Sequence, residues 1–76
     1  MLSVLNAKTI SSEVEKHLTS PSTRTRVTED KQIENVTATV GSINKEQLRL
    51  ISQLAEDLEV DVNLKRSGTG ISIKFN

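Results

Sequence analysis

Cysteine, tyrosine and tryptophan are absent from this chain of 76 residues, which has one phenylalanine, one histidine and one proline. Without cysteine there is no disulfide framework, and one histidine leaves little from which to build a zinc site. An excess of either charge is also lacking: 10 Lys+Arg balance 10 Asp+Glu and the pI is about 6.6. Any attraction to nucleic acid or to an anionic surface must therefore come from local segregation of charge. No apolar run exceeds two residues, which is far short of a membrane-spanning helix, and Met1-Leu2-Ser3-Val4-Leu5-Asn6 lacks the charged start and apolar centre of a secretory signal. The expectation is a soluble cytoplasmic protein without membrane contact, in which the Asn35-Val36-Thr37 sequon is accidental.

Leu, Ile, Val and Phe make up 22 of the 76 residues. That share stays above the ~20% at which a highly charged chain reads as disordered, so residues 1–76 are expected to form one small domain. Its core must be thin, because only 34% of the residues are hydrophobic. Below ~70–80 residues a single core rarely supplies more than ~3–5 kcal/mol, which makes a homodimer, joined through a sheet edge or the apolar margin of a helix, the expected supplement.

The clearest pattern begins in the middle of the chain. In Val36-Thr37-Ala38-Thr39-Val40 apolar residues alternate with threonines, the period of a half-buried strand, and the strand is expected over 35–41. Asn44 and Gln47 have the spacing of a capping box, with Ile43 and Leu48 placed as a hydrophobic staple, so a helix should start at Lys45. Leu48, Ile51, Leu54, Ala55 and Leu58 then line one face to its end. Val60, Val62 and Leu64 alternate with polar residues, as do Ile71, Ile73 and Phe75, and Gly68-Thr69 fits a two-residue type II′ turn between them. That turn sets Leu64 opposite Ile73 and Val62 opposite Phe75, whereas a slip by one residue would oppose them to Lys74 and Ser72.

Toward the N-terminus Ile10, Val14, His17 and Leu18 fit a helical stripe, with Asn6 or Thr9 as caps and Pro21 as the stop. Residues 20–28 are rich in Ser, Thr and Arg and read either as a linker or as an edge strand alternating Thr25 and Val27. No internal repeat is visible. The fold expected is α+β in two layers, with order α-β-α-β-β. Two helices pack on one face of a three-stranded sheet, four-stranded if residues 20–28 form the edge. The strands at 35–41 and 60–66 should run parallel, with the last strand between them, and Leu54 should face Ile73 across the layers.

Chemistry-bearing patterns are sparse. Glu13 and His17 lie four apart on a helix and could be imagined as an oriented base, but the reading the pattern favours is a half-buried helix histidine beside a solvated carboxylate. None of the nine serines sits in a nucleophile elbow, and Ser67-Gly68-Thr69-Gly70 precedes no helix that would face a phosphate. Glu56, Asp57, Glu59 and Asp61 lack the spacing of a calcium loop. No catalytic residue, cofactor or metal is implied.

Charge is nevertheless segregated. Glu56, Asp57, Glu59 and Asp61 crowd a helix end where the macrodipole disfavours acids, and they are the candidate protein-binding residues. Arg24, Arg26, Lys65, Arg66 and Lys74 are the candidate nucleic-acid contacts. The stretch Leu50 to Phe75, with Leu54, Leu58, Val60-Asp61-Val62-Asn63-Leu64-Lys65-Arg66, the Gly68-Thr69-Gly70 turn and Ile71-Ser72-Ile73-Lys74-Phe75, resembles the helix and hairpin of the C-terminal dimerisation domain of ParB partition proteins. That resemblance implies a hairpin that supports dimerisation and a lysine-rich surface touching DNA, but this chain lacks the family's helix after the second strand and carries fewer lysines. The residues themselves favour a non-enzymatic protein that binds another protein as an inhibitor, adaptor or regulator. The alternative is a nucleic-acid accessory protein using the basic hairpin and the Arg24/Arg26 segment.

Overall fold

The computed structural model describes all residues except Met1 and Ser20. The chain runs α1 (Val4–His17), β1 (Ser22–Val27), β2 (Ile33–Val40), α2 (Lys45–Leu58), β3 (Val62–Ser67) and β4 (Gly70–Phe75). The order is thus α-β-β-α-β-β rather than α-β-α-β-β, with residues 22–27 as the additional edge strand. Both helices pack against a four-stranded sheet of order β1-β2-β4-β3, in which every neighbouring pair is antiparallel. Because β2 and β3 both run against β4, they are parallel to each other with β4 between them, as the sequence pattern anticipates.

α2 forms where its signals place it. Gln47 N–H donates to Asn44 Oδ1 at 2.7 Å and Gln47 Oε1 accepts from Asn44 N–H at 3.0 Å, which closes the capping box. α1 differs from expectation at its start. Ser3 is the cap, its hydroxyl oxygen accepting from Asn6 N–H at 3.0 Å, while Asn6 lies inside the first turn and Thr9 donates its hydroxyl back to Leu5 O. A serine flanked by apolar residues is a weaker textual signal than an asparagine, yet its β-region backbone and short side chain meet the same demand.

The hairpin register holds residue for residue: Leu64 opposes Ile73, Val62 opposes Phe75, and Ser67 opposes Gly70 across the two-residue turn. Gly68 has φ +59° and Thr69 is not in the positive region, which is the type II′ combination. Gly70 is constrained for another reason: a Cβ there would lie 2.5 Å from the carbonyl oxygen of Val40.

The core lies between the sheet and the helices. It joins Ala7, Ile10 and Val14 of α1, Val36, Ala38 and Val40 of β2, Ile51 of α2, and Ile73 and Phe75 of β4, with Leu2 and Leu18 closing the ends of α1. Ile73 is fully buried, but Leu54 is only half-buried and packs at the margin, and Leu48 is 41% exposed. The buried positions of α2 are Ile51 and Ala55, so the centre of its apolar stripe is narrower than the leucine pattern suggests.

Candidate binding face

A sheet covered by helices on one side leaves its other side open. Strand alternation sends Val36, Ala38, Ile73 and Phe75 into the core, so the odd residues of β2 and β3 and the even residues of β1 and β4 face outward. Two rows of paired residues cross the entire sheet: Arg24, Thr37, Lys74, Asn63, and Ser22, Thr39, Ser72, Lys65. They form the floor and walls of a shallow trough of about 790 Å³.

Four of the five candidate cations, Arg24, Arg26, Lys65 and Lys74, line this trough although they come from three strands separated by up to 50 residues. Arg66 does not join them. It stands opposite Ile71, in the helix-facing parity of β3, and is exposed at the end of the strand. With strands ~4.8 Å apart, Arg24 and Lys74 are separated by about 10 Å at their backbones, with Thr37 between them.

One end of the face is partly neutralised. Arg26 pairs with Asn35 and Val27 with Ile33, which leaves Glu34 as an extra residue on β2, and its carboxylate approaches Arg26 Nε at 3.5 Å. Asn35 is the one buried polar residue among those described, at 5% exposure, and its Oδ1 accepts from the Thr37 hydroxyl at 3.4 Å. Among the described residues, Arg24, Lys65 and Lys74 have no carboxylate within salt-bridge distance. Phe75, the only aromatic residue of the chain, is fully buried in the core.

The acidic candidates lie elsewhere. Glu56, Asp57, Glu59 and Asp61 are all exposed where α2 gives way to β3. Glu59 caps the helix in the left-handed region at φ 55°, a place that ordinarily favours glycine, and α2 has no basic residue in its last turn. Asp57 accepts from Gln53 Nε2 at 2.9 Å, and Asp61 exchanges both main-chain hydrogen bonds with Asn76. Among the described residues no three His, Asp or Glu side chains converge as metal ligands, and no helix is long and apolar enough to cross a membrane.

Glu13 and His17 meet at 3.1 Å on the outer side of α1, both more than a third exposed, so the histidine leaves the apolar stripe assigned to it. Its carbonyl accepts from Gln47 Nε2 at 3.2 Å, which ties the end of α1 to the start of α2.

No family model, curated protein or solved structure matches this chain. The likeness of Leu50 to Phe75 to the partition-protein domain accordingly carries no further argument.

Proposed function

We propose that this chain is a non-enzymatic binding protein whose open sheet face docks on the phosphate backbone of double-stranded nucleic acid. The observation that carries the reading is the gathering of Arg24, Arg26, Lys65 and Lys74 on one uncovered face of a chain with no net charge. Hydroxyl and amide side chains fill the positions between the cations, and these are phosphate hydrogen-bond donors. A duplex is favoured over a single strand because the face offers no aromatic ring to an unstacked base. Contacts of this kind orient a protein on nucleic acid without reading its sequence.

Fluorescence anisotropy with a short duplex DNA, between about 50 and 200 mM salt, tests the reading. The three unpaired cations on this face, Arg24, Lys65 and Lys74, should give one monomer a slope of log K against log salt of about −2.7. Arg24→Ala or Lys74→Ala should each reduce that slope by about 0.9, while Arg66→Ala, on the other side of β3, should leave it unchanged. Equal effects of all three substitutions, or no binding at low salt, would remove the proposal.

The protein-binding reading retains one specific support. Among the described residues, Glu56, Asp57, Glu59 and Asp61 have no cation within salt-bridge distance, and three of them oppose the helix dipole. A basic surface on another molecule would relieve both costs.

A further inference from the structure

The sheet has two edges, β1 and β3, and they are not equivalent. β1 lies beside the Glu34 bulge, and its only charged residues are Arg24 and Arg26, so two copies of β1 would bring like charges together. β3 pairs with β4 over its whole length without a register shift. The segment leading into it holds acids, Glu59 and Asp61, and the strand itself holds bases, Lys65 and Arg66. Along its helix-facing side Val62 is half-buried and Leu64 is 42% exposed, next to half-buried Leu54, Leu58 and Val60.

The hydrogen-bond pattern limits how this edge can pair. Asp61 and Asn76 exchange both main-chain bonds, so Asp61, Asn63, Lys65 and Ser67 turn their N–H and C=O groups toward β4. Val62, Leu64 and Arg66 therefore present theirs at the free edge. An antiparallel partner strand must bond to these even positions.

With a second β3 as that strand, the alternation allows four central registers. Centring the two-fold on Lys65 opposes Lys65 to itself, and centring it on Leu64 opposes Val62 to Arg66. Centring it on Val62 leaves only a short overlap around residues 61–63. Centring it on Asn63 opposes Lys65 to Asp61 of the other copy on the open face, and Leu64 to Val62 of the other copy on the helix-covered face. By symmetry each of these pairs occurs twice. We propose that the chain self-associates through this register, β3 against β3, into a two-fold dimer with one continuous eight-stranded sheet.

The occupant of the edge is thus a second copy, and the inference does not rest on nucleic-acid binding. It gives Asp61 a cation that its own chain does not supply, and it covers an apolar margin that α2 leaves open. It would also set the two troughs side by side on one side of the joined sheet, each keeping Arg24 and Lys74 as its unpaired cations while Lys65 faces Asp61 of the other copy.

The absence of native cysteine allows a direct test. Asn63 would oppose itself in a non-hydrogen-bonded pair with Cα atoms about 4.5 Å apart, within the ~4.4–6.8 Å that a disulfide spans. Mild oxidation should therefore convert Asn63→Cys to a covalent dimer, while Thr25→Cys on β1 should remain monomeric. In sedimentation equilibrium the parent should contain a species of twice 8.4 kDa. Lys65→Asp and Asp61→Lys should each raise the dimer dissociation constant about tenfold, and the double reversal should restore it. A parent that remains an 8.4 kDa species at high micromolar concentration overturns the proposal. So does equal cross-linking at both cysteines, or failure of the double reversal to restore association. Should Asn63→Cys not fold, the reversal pair decides the matter without it.

Discussion

The two halves of the molecule, α1-β1-β2 and α2-β3-β4, have the same architecture and different finish. Each is a helix followed by an antiparallel hairpin, each contributes its second strand to the centre of the sheet, and each leaves its first strand at an edge. In the first half the helix supplies three buried residues, the hairpin turns through the longer loop 28–32, and the edge strand is polar and lies against a bulge. In the second half the helix buries Ile51 and Ala55, the hairpin turns in two residues, and the edge retains half-exposed apolar side chains. The first half is finished as a surface. The second is finished as a margin that another strand can cover.

Phe75 offers the sharpest way to ask whether the halves are one cooperative unit, since it opposes Val36 on one side and Val62 on the other and is fully buried. Phe75→Ala should cost ~3–5 kcal/mol and destabilise both halves in a single urea transition. Two separate transitions would show that the β2–β4 seam does not couple them.

A smaller effect distinguishes two glycines at that seam. A Cβ at Gly70 meets the backbone of Val40, whereas one at Gly41 meets nothing within 4 Å. Gly70→Ala should destabilise by ~1–3 kcal/mol and Gly41→Ala by less than ~0.5, as measured by urea melts of both. Similar costs would mean that β2 and β4 do not approach as closely as described.

The smallest expected effect lies at the helix ends. α1 finishes with Leu18 in extended backbone and with Lys16 and His17 in its last turn, whereas α2 finishes with Glu59 in the left-handed region. Glu59→Gly should raise stability by about 0.5–1 kcal/mol, by relieving the backbone and removing an acid from the negative end of the helix. A thermal melt that shows loss instead would indicate that this carboxylate makes a favourable contact.

Legibility followed the same division. α2 was readable to the residue because Asn44 and Gln47 are both strong signals, and the β3–β4 register was readable because turn chemistry and alternation agree. Residues 20–28 read equally as linker or strand because an edge strand whose helix-facing positions are Thr23, Thr25 and Val27 shows little alternation in hydrophobicity. The sheet is therefore expected with three strands or with four, while the order of its centre, the last strand between the other two, follows from the pattern and agrees with the structure. The basic hairpin and the Arg24/Arg26 segment are each legible in the sequence, but their meeting on one face is not, because it depends on β1 and β4 flanking β2. Arg66 adjoins Lys65 in the sequence, but neighbours on a strand point to opposite faces, which separates it from the other four cations.

Whether the open face is the working surface is tested most directly by following backbone amide resonances while duplex DNA is added at low salt. The account predicts that shifts concentrate at Arg24, Thr37, Thr39, Lys65, Ser72 and Lys74 and disappear as salt is raised. Shifts confined to the helix layer, or to the acidic end at Glu56 to Asp61, would contradict it.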